Sequence, residues 1–199
     1  GQLNINGAGS SLEVLGSQAS IFVGGIATQG NGTGLLTIGD GGRATIFGSA
    51  LGTGATTSSV SVGRATGPDV DFATGVGELN ILGPGSTLEL LGDSTALSIF
   101  SGDMSITAGG STELSGRVST VDIGTAFGER DGVGALTVDG SGSVMQIGDG
   151  SGEFVSLRIG RAIALNGEGP PIGSTGSLTI SGGGLVEVIG TAQPVTFVG

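Results

Sequence analysis

The run GELNILGPGSTLELLG, residues 77–92, decides the fold of this chain. It contains two short segments, Leu79-Asn80-Ile81 and Leu88-Glu89-Leu90, in which apolar residues alternate with polar ones. Such alternation is typical of β-strands that bury one face. The link between them, Gly83-Pro84-Gly85-Ser86, is typical of a tight corner, because glycine adopts left-handed backbone conformations at little cost. The run therefore predicts two strands joined by a sharp turn.

The same pattern recurs along the whole chain. The motif G-x-L-x-I/V, or a weaker form of it, starts near residues 1, 34, 77, 102, 134 and 176. A variable stretch after each second strand leads to a third strand that ends in glycine, as in Val121-Asp122-Ile123-Gly124. The unequal spacing of the starts indicates a constant coil that carries loop insertions. The sequence predicts an all-β fold, a right-handed three-sided parallel β-helix (a solenoid) of about six coils, as one domain over residues 1–199.

The alternation also predicts which side chains face inward and which face outward. Leucines of the motif predict an inner ladder of Leu3, Leu36, Leu79, Leu136 and Leu178. The outer column on the first strands is Asn4, Thr37, Asn80, Ser105, Thr137 and Thr179. The outer column on the second strands is Glu13, Thr45, Glu89, Glu113, Gln146 and Glu187. On the third strands, Phe22, Phe100 and Phe197 occupy or adjoin outward positions, as a contact patch or beneath a neighbouring loop.

The composition argues against several classes of function. The chain has no Cys, His, Trp or Tyr, and all 6 of its basic residues are arginine. It therefore lacks a thiol nucleophile, a disulfide and the usual general base at neutral pH, and we expect no enzymatic activity. The net charge of −11 disfavours nucleic acids and anionic membranes as partners. No apolar run approaches the roughly 20 residues of a transmembrane helix, so we expect no membrane insertion in this stretch.

Three runs carry a resemblance to known proteins: GSLTISGGGLVEVIG (176–190), GELNILGPGSTLELLG (77–92) and GALTVDGSGSV (134–144). They resemble the Gly-rich repeats of bacterial autotransporter passenger domains and PEP-CTERM-associated repeat proteins, over essentially the whole chain. The resemblance implies an extracellular or cell-surface β-helix of a Gram-negative bacterium. The chain starts at Gly1 without methionine and stops at Gly199 within a motif, so we expect a fragment of a longer repeat protein.

Carboxylates are the remaining candidates for a binding site. Asp69 and Asp71 lie two residues apart in a predicted loop and are the first candidates for calcium ligands, since calcium prefers oxygen donors. The run Asp149-Gly150-Ser151-Gly152-Glu153 and the stretch that begins at Asp139 are further candidates. None of these has a complete EF-hand or β-roll spacing, and Asp and Gly also simply form turns. Apart from calcium at these carboxylates, the sequence predicts no cofactor.

The sequence favours a structural or adhesive module of a secreted bacterial surface protein. The alternative is a polysaccharide-active enzyme, or a glycan- or calcium-binding module, on the same fold. Its site would lie at two long predicted loops, residues 66–75 and 163–173, which follow matching Gly-Arg-Ala triplets and share one edge three coils apart. The expected partners are neighbouring repeats or identical chains end to end, with surface glycans as partners in the alternative.

Overall fold

The computed structural model describes residues 1–25, 32–48, 56–63, 75–127, 132–163, 173–192 and 194–199. Within these ranges the chain forms three parallel sheets of six strands each and one two-stranded sheet. Successive strands pass from one sheet to the next, so each coil contributes one strand to each of the three large sheets. The prediction of a three-sided parallel β-helix of about six coils is confirmed.

The bounds of the strands follow from the three sheets in coil order. Sheet 1 contains β1 (Gln2–Asn6), β4 (Thr33–Gly39), β7 (Val76–Leu82), β10 (Ser101–Thr107), β14 (Gly132–Asp139) and β18 (Ser174–Ser181). Sheet 2 contains β2 (Ser11–Gly16), β5 (Arg43–Gly48), β8 (Thr87–Leu91), β11 (Ser111–Ser115), β15 (Val144–Ile147) and β19 (Leu185–Val188). Sheet 3 contains β3 (Gln18–Val23), β6 (Thr57–Val62), β9 (Ser94–Ile99), β12 (Val118–Ile123), β16 (Phe154–Ile159) and β20 (Val195–Val198). The small sheet pairs β13 (Ala126–Phe127) with β17 (Ala162–Ile163).

The register aligns equivalent residues of successive coils. Leu36 pairs with Leu3 on one side and with Leu79 on the other. Both predicted outer columns are present, since Asn80 lies between Thr37 and Ser105 and the glutamate column follows the register of sheet 2. A shift of one residue would turn the apolar side chains outward, so the alternation of each strand holds this register.

The core is a stack of aliphatic side chains enclosed by the three sheets. In the middle coils, Leu36, Leu79, Met104 and Leu136 are at most 2% exposed. At the ends the predicted inner ladder is open, because Leu3 is 46% exposed and Leu178 is only partly buried. A residue in a terminal coil has a neighbouring coil on one side only, and its ladder therefore ends against solvent.

Corner 1, the turn from sheet 1 to sheet 2, alternates between two lengths. It has four residues in coils 1, 3 and 5, which are 7–10, 83–86 and 140–143. It has three residues in coils 2, 4 and 6, which are 40–42, 108–110 and 182–184. The structural repeat at this corner is therefore a pair of coils rather than a single coil.

In coils 3 and 5, a serine at the end of the four-residue corner bonds to the three-residue corner of the preceding coil. The hydroxyl of Ser86 donates to the carbonyl oxygen of Leu82 at 2.6 Å and accepts the N–H of Gly41, in the preceding coil, at 3.1 Å. Ser143 makes the same pair of bonds, to Asp139 O at 2.6 Å and from Gly109 N at 3.0 Å. Buried backbone groups need hydrogen-bond partners. These two serine hydroxyls supply partners to a backbone N–H in the short corner and to a carbonyl oxygen beside the long corner.

Ala108 offers a stability test at the first residue of corner 1. Its φ is 53°, in the left-handed region that disfavours residues with a Cβ atom. We expect Ala108→Gly to raise the free energy of unfolding by about 0.5–1 kcal/mol, because relief of strain exceeds the added freedom of the unfolded chain. Urea unfolding measures this change. Ala8→Gly, at a corner residue outside the left-handed region, is the control and should be neutral or slightly destabilising; equal effects would contradict the prediction.

Candidate functional site

Corner 3, the turn from sheet 3 to sheet 1 of the next coil, carries most of the inserted sequence. Between β9 and β10 the corner is Phe100 alone. The other corners of this kind run over residues 24–32, 63–75, 124–131 and 160–173. The long loops at 66–75 and 163–173 therefore start from the same corner, three coils apart, as the sequence predicts. Most of their length, residues 66–74 and 164–172, lies outside the described residues.

Two insertions at corner 3 run side by side where they leave the rod. Ala126 pairs with Ala162 and Phe127 with Ile163, and Ala126 N donates to Arg161 O at 2.9 Å. Sequence reasoning missed the insertion of coil 4, which follows Gly124. The signal was present in the spacing, since the motif starts at 102 and 134 are further apart than the insertion-free pair at 77 and 102.

The predicted calcium ligands Asp69 and Asp71 lie outside the described residues. Among the residues that the structure describes, no group of three or more acidic side chains is placed to hold a metal ion. The second candidate, the run that starts at Asp149, is described in full. The carboxylates of Asp149 and Glu153 bind hydrogen-bond donors of the protein itself, so the run has a structural role.

The Asp149 carboxylate closes a turn and ties it to the coil below. Oδ1 accepts the backbone N–H of Ser151 at 2.8 Å and the Ser151 hydroxyl at 2.5 Å. Oδ2 accepts the hydroxyl of Ser115, in the preceding coil, at 2.6 Å. Hydrogen bonds from Ser115 and then Ser151 lower the pKa of Asp149 to about 2. The arrangement is an Asx turn, a common use of aspartate at corners.

The Asp149 carboxylate makes the free energy of unfolding depend on pH in the acid range. Its pKa in the folded chain is about 2, below the ordinary 3.8, so its contribution is present above pH 4 and is lost as pH falls toward 2. We expect Asp149→Ala to lower the free energy of unfolding at pH 7 by up to about 1 kcal/mol, a small value because the side chain is exposed. Urea unfolding at pH 7 and pH 2 tests this, with Asp103→Ala as the matched change in net charge. If the difference in unfolding free energy between Asp149→Ala and the parent stayed constant from pH 7 down to pH 2, the prediction would be wrong.

The arginines that the structure describes in ion pairs all bridge neighbouring coils. Arg117 contacts Asp93 of coil 3 at 3.0 Å and Glu153 of coil 5 at 3.1 Å. The hydrogen bond from Arg117 lowers the pKa of Asp93. Arg43 of coil 2 contacts Glu89 of coil 3 at 2.5 Å. These exposed pairs add little stability singly, but each is directed along the axis of the rod.

The most enclosed charged pair lies on the outer side of sheet 3. Arg158 Nη2 donates to Asp122 Oδ2 at 2.9 Å, and Nε lies 2.8 Å from Oδ1 without an aligned hydrogen bond. Both side chains are less than 20% exposed. Burial raises the pKa of Asp122, and the charges of Arg158 and Arg161 oppose that rise. Asp122 alternates with the buried Val121 and Ile123 along β12, but only the structure shows how deeply the pair is buried.

Of the aromatic residues that the sequence predicts at outward positions, Phe22 and Phe197 lie in the terminal coils. Phe22 in coil 1 is 42% exposed and Phe197 in coil 6 is 57% exposed, which confirms their outward placement. Phe100 is half-buried at corner 3. At the coil 1 end, Phe22 and Leu3 line an open groove of about 360 Å³ with Leu35. Exposed apolar side chains thus concentrate on the terminal coils.

Comparison with protein-family models, curated proteins and solved structures finds no match for this chain. In the part of the chain that the structure describes, no helix is long and apolar enough to cross a membrane. The geometry itself therefore carries the functional argument. It presents a continuous stack of coils with most of the inserted sequence at corner 3.

Proposed function

We propose that this chain is a structural module, a stiff β-solenoid rod that extends or displays other parts of a secreted bacterial surface protein. The observation that carries the proposal is the unbroken ladder of each large sheet from coil 1 to coil 6. In such a stack every strand of coils 2 to 5 hydrogen-bonds to the coils above and below it, and bending the rod strains all three sheets together.

The side chains support the same role. The ion pairs of Arg43, Arg117 and Arg158 and the corner serines Ser86 and Ser143 join one coil to the next. The polar groups of these side chains therefore bind groups of a neighbouring coil along the rod axis. This is the arrangement expected of a load-bearing stack, in which each repeat contacts its neighbours.

The extracellular location rests on sequence. The resemblance of the Gly-rich runs to passenger-type repeats favours the surface of a Gram-negative bacterium. A fold that uses no cysteine is indifferent to the redox state of its compartment, which is compatible with that location.

Single-molecule pulling on the two termini of the chain tests the mechanical role. We expect high-force unfolding in steps that release roughly 80–90 Å, the extended length of one insertion-free coil. Arg117→Ala, which removes a bridge over three coils, should lower the force of the middle steps. Asp103→Ala, an exposed residue of coil 4 outside the ion pairs that the structure describes, is the control. Unfolding of the parent chain at low force in a single step would overturn the proposal.

A second candidate function, glycan or calcium binding, is favoured by one observation. Insertions leave the rod repeatedly at corner 3, and insertions of solenoids often form their binding face. A glycan panel and calcium titration calorimetry test it, with Asp69→Asn/Asp71→Asn as the calcium variant. Binding that is lost in this variant, with the circular dichroism spectrum unchanged, would support calcium binding. No binding by the parent chain to either probe would rule out the candidate.

A further inference from the structure

Corner 2, the turn from sheet 2 to sheet 3, changes length in the middle of the rod. In coils 3 and 4 it has two residues, 92–93 and 116–117, whereas in coil 5 it runs over six residues, 148–153. The coil 5 corner therefore extends beyond its two neighbours and forms a step along this edge. Coils 3, 4 and 5 each have a neighbouring coil on both sides, so the step belongs to the interior of the stack.

The step is bridged by the guanidinium of Arg117, which starts from the short corner of coil 4. Its Nε and Nη2 donate to the two carboxylate oxygens of Asp93, in coil 3, at 3.0 and 3.3 Å. Its Nη1 donates to Glu153 Oε2, at the end of the coil 5 corner, at 3.1 Å. The paired contact with Asp93 fixes the plane of the guanidinium. Among the contacts that the structure describes, three of its five N–H groups are used, which leaves two for a further acceptor.

The chain leaves the step through a bulge at Glu153 and Phe154. The backbone N–H groups of both residues donate to the carbonyl oxygen of Arg117, at 2.8 and 3.1 Å. Two residues of coil 5 thus oppose one residue of coil 4, which is the arrangement of a β-bulge. Bulges redirect side chains and are frequent beside active sites. Here the side chains of both bulge residues are exposed, that of Glu153 by 70%.

Charged and apolar side chains lie in two adjacent pairs at this bulge. Val118 follows Arg117 in coil 4, Phe154 follows Glu153 in coil 5, and the register places Val118 beside Phe154. Phe154 is 48% exposed although its strand has a neighbouring strand on each side. An aromatic ring that is open to solvent therefore lies next to a guanidinium that donates hydrogen bonds and a carboxylate that accepts them.

We propose that this surface, the corner 2 platform, binds a neutral glycan; it is formed by Asp93, Arg117, Val118, Glu153 and Phe154. A sugar ring has an apolar face of C–H groups, which packs on an aromatic ring, and a rim of hydroxyl groups, which donate and accept hydrogen bonds. Phe154 contacts the apolar face, Arg117 donates to hydroxyl oxygens, and the Glu153 carboxylate accepts from hydroxyl groups. The net charge of −11 disfavours acidic glycans.

The corner 2 platform goes beyond the proposed function as a rod and does not depend on it. It also differs in place from the second candidate function, whose site would lie at corner 3. Because every residue of the corner 2 platform belongs to coils 3 to 5, its geometry is set by coils that are enclosed on both sides.

Isothermal titration calorimetry of the 199-residue chain with cellohexaose, maltohexaose and chitohexaose tests the proposal, with hexagalacturonate as the acidic comparison. We expect at least one neutral oligosaccharide to bind with a dissociation constant of about 1 mM or lower, and hexagalacturonate to bind more weakly. Phe154→Ala should weaken binding at least tenfold, because the aromatic contact is lost, whereas Phe154→Tyr should retain it within about twofold. Phe47→Ala, at an exposed aromatic residue of coil 2, is the matched control and should also stay within about twofold.

Arg117→Lys tests the polar half of the corner 2 platform. Lysine keeps the positive charge beside Asp93 and Glu153 but lacks the planar set of N–H groups. We expect binding of the neutral oligosaccharide to weaken at least threefold while the circular dichroism spectrum stays unchanged. Binding equal to that of the parent would overturn the role of the guanidinium.

The outcomes separate this inference from both proposed functions. A parent chain that binds none of the three neutral oligosaccharides overturns the proposal, and so does tighter binding of hexagalacturonate. Binding that Phe154→Ala leaves unchanged overturns the site at corner 2. The pulling experiment reports the stiffness of the rod independently, so a stiff chain that binds no glycan would refute the corner 2 platform and leave the rod intact.

Discussion

Gly77→Ala is expected to lower the free energy of unfolding by about 3 kcal/mol or more, the largest effect of any conservative substitution considered for this fold. Gly77 is the first residue of the motif in coil 3. A Cβ atom there would lie 2.2 Å from Val23 O and 2.5 Å from Gly63 N. Those two atoms form a hydrogen bond of 2.8 Å between coils 1 and 2, so the methyl group would push directly into it.

The same relation recurs at other copies of the motif, which makes the cause general. The Cβ of an alanine at 134 would lie 2.5 Å from Ile99 O and 2.7 Å from Gly124 N, which also share a hydrogen bond. Backbone atoms of a continuous ladder cannot move apart as a flexible side chain can. The glycine of the motif is therefore required by close approach at corner 3.

Urea unfolding followed by circular dichroism measures this effect. Gly92→Ala is the matched control in the same coil, because its Cβ would meet no heavy atom closer than 3.5 Å and its φ is outside the left-handed region. We expect the control to change the free energy of unfolding by no more than about 0.5 kcal/mol. A loss below about 1 kcal/mol in Gly77→Ala would show that corner 3 yields, and would contradict the steric argument.

Ser143→Ala is expected to cost about 2 kcal/mol of unfolding free energy. The side chain is fully buried and makes two bonds, to Asp139 O at 2.6 Å and from Gly109 N at 3.0 Å. Alanine fills nearly the same space, so packing changes little. The loss comes from leaving an N–H and a carbonyl oxygen without this hydroxyl in an enclosed corner.

Ser10→Ala is the control for this prediction, because Ser10 occupies the same corner position in the terminal coil. It makes the bond within its own coil, to Asn6 O, and is only half-buried. We expect a loss of unfolding free energy below about 1 kcal/mol in Ser10→Ala. Equal losses in the two variants would mean that the bond between coils contributes nothing.

The sequence contained the alternation of corner 1, although its meaning was not apparent from it. The corners Gly7-Ala8-Gly9-Ser10 and Gly83-Pro84-Gly85-Ser86 end in serine, whereas Asp40-Gly41-Gly42 is one residue shorter. Each of these three sequences is typical of a glycine-rich turn. Only the contact between Ser86 and Gly41, residues 45 positions apart, shows why a long corner follows a short one.

Burial at the candidate sites could not be predicted from single strands. Alternation placed Phe22 outward, but it does not distinguish one outward position of a strand from another. In the structure the Asp122 side chain is 15% exposed, whereas Phe22 is 42% exposed. Exposure depends on what packs beside a strand, and for Phe22 on the lack of a coil beneath it within this chain.

The sequence by itself determined the fold class, the inner ladders and the outer columns. A period of two along each strand sorts side chains between core and surface, and repetition of the motif aligns one coil with the next. The tertiary structure alone decided which glycines admit no side chain and which charges pair. The ion pairs join residues 24 to 46 positions apart, as Arg117 joins Asp93 and Arg43 joins Glu89, across loops of unequal length. Contacts along the rod axis exist only once the coils are stacked, and no local pattern encodes them.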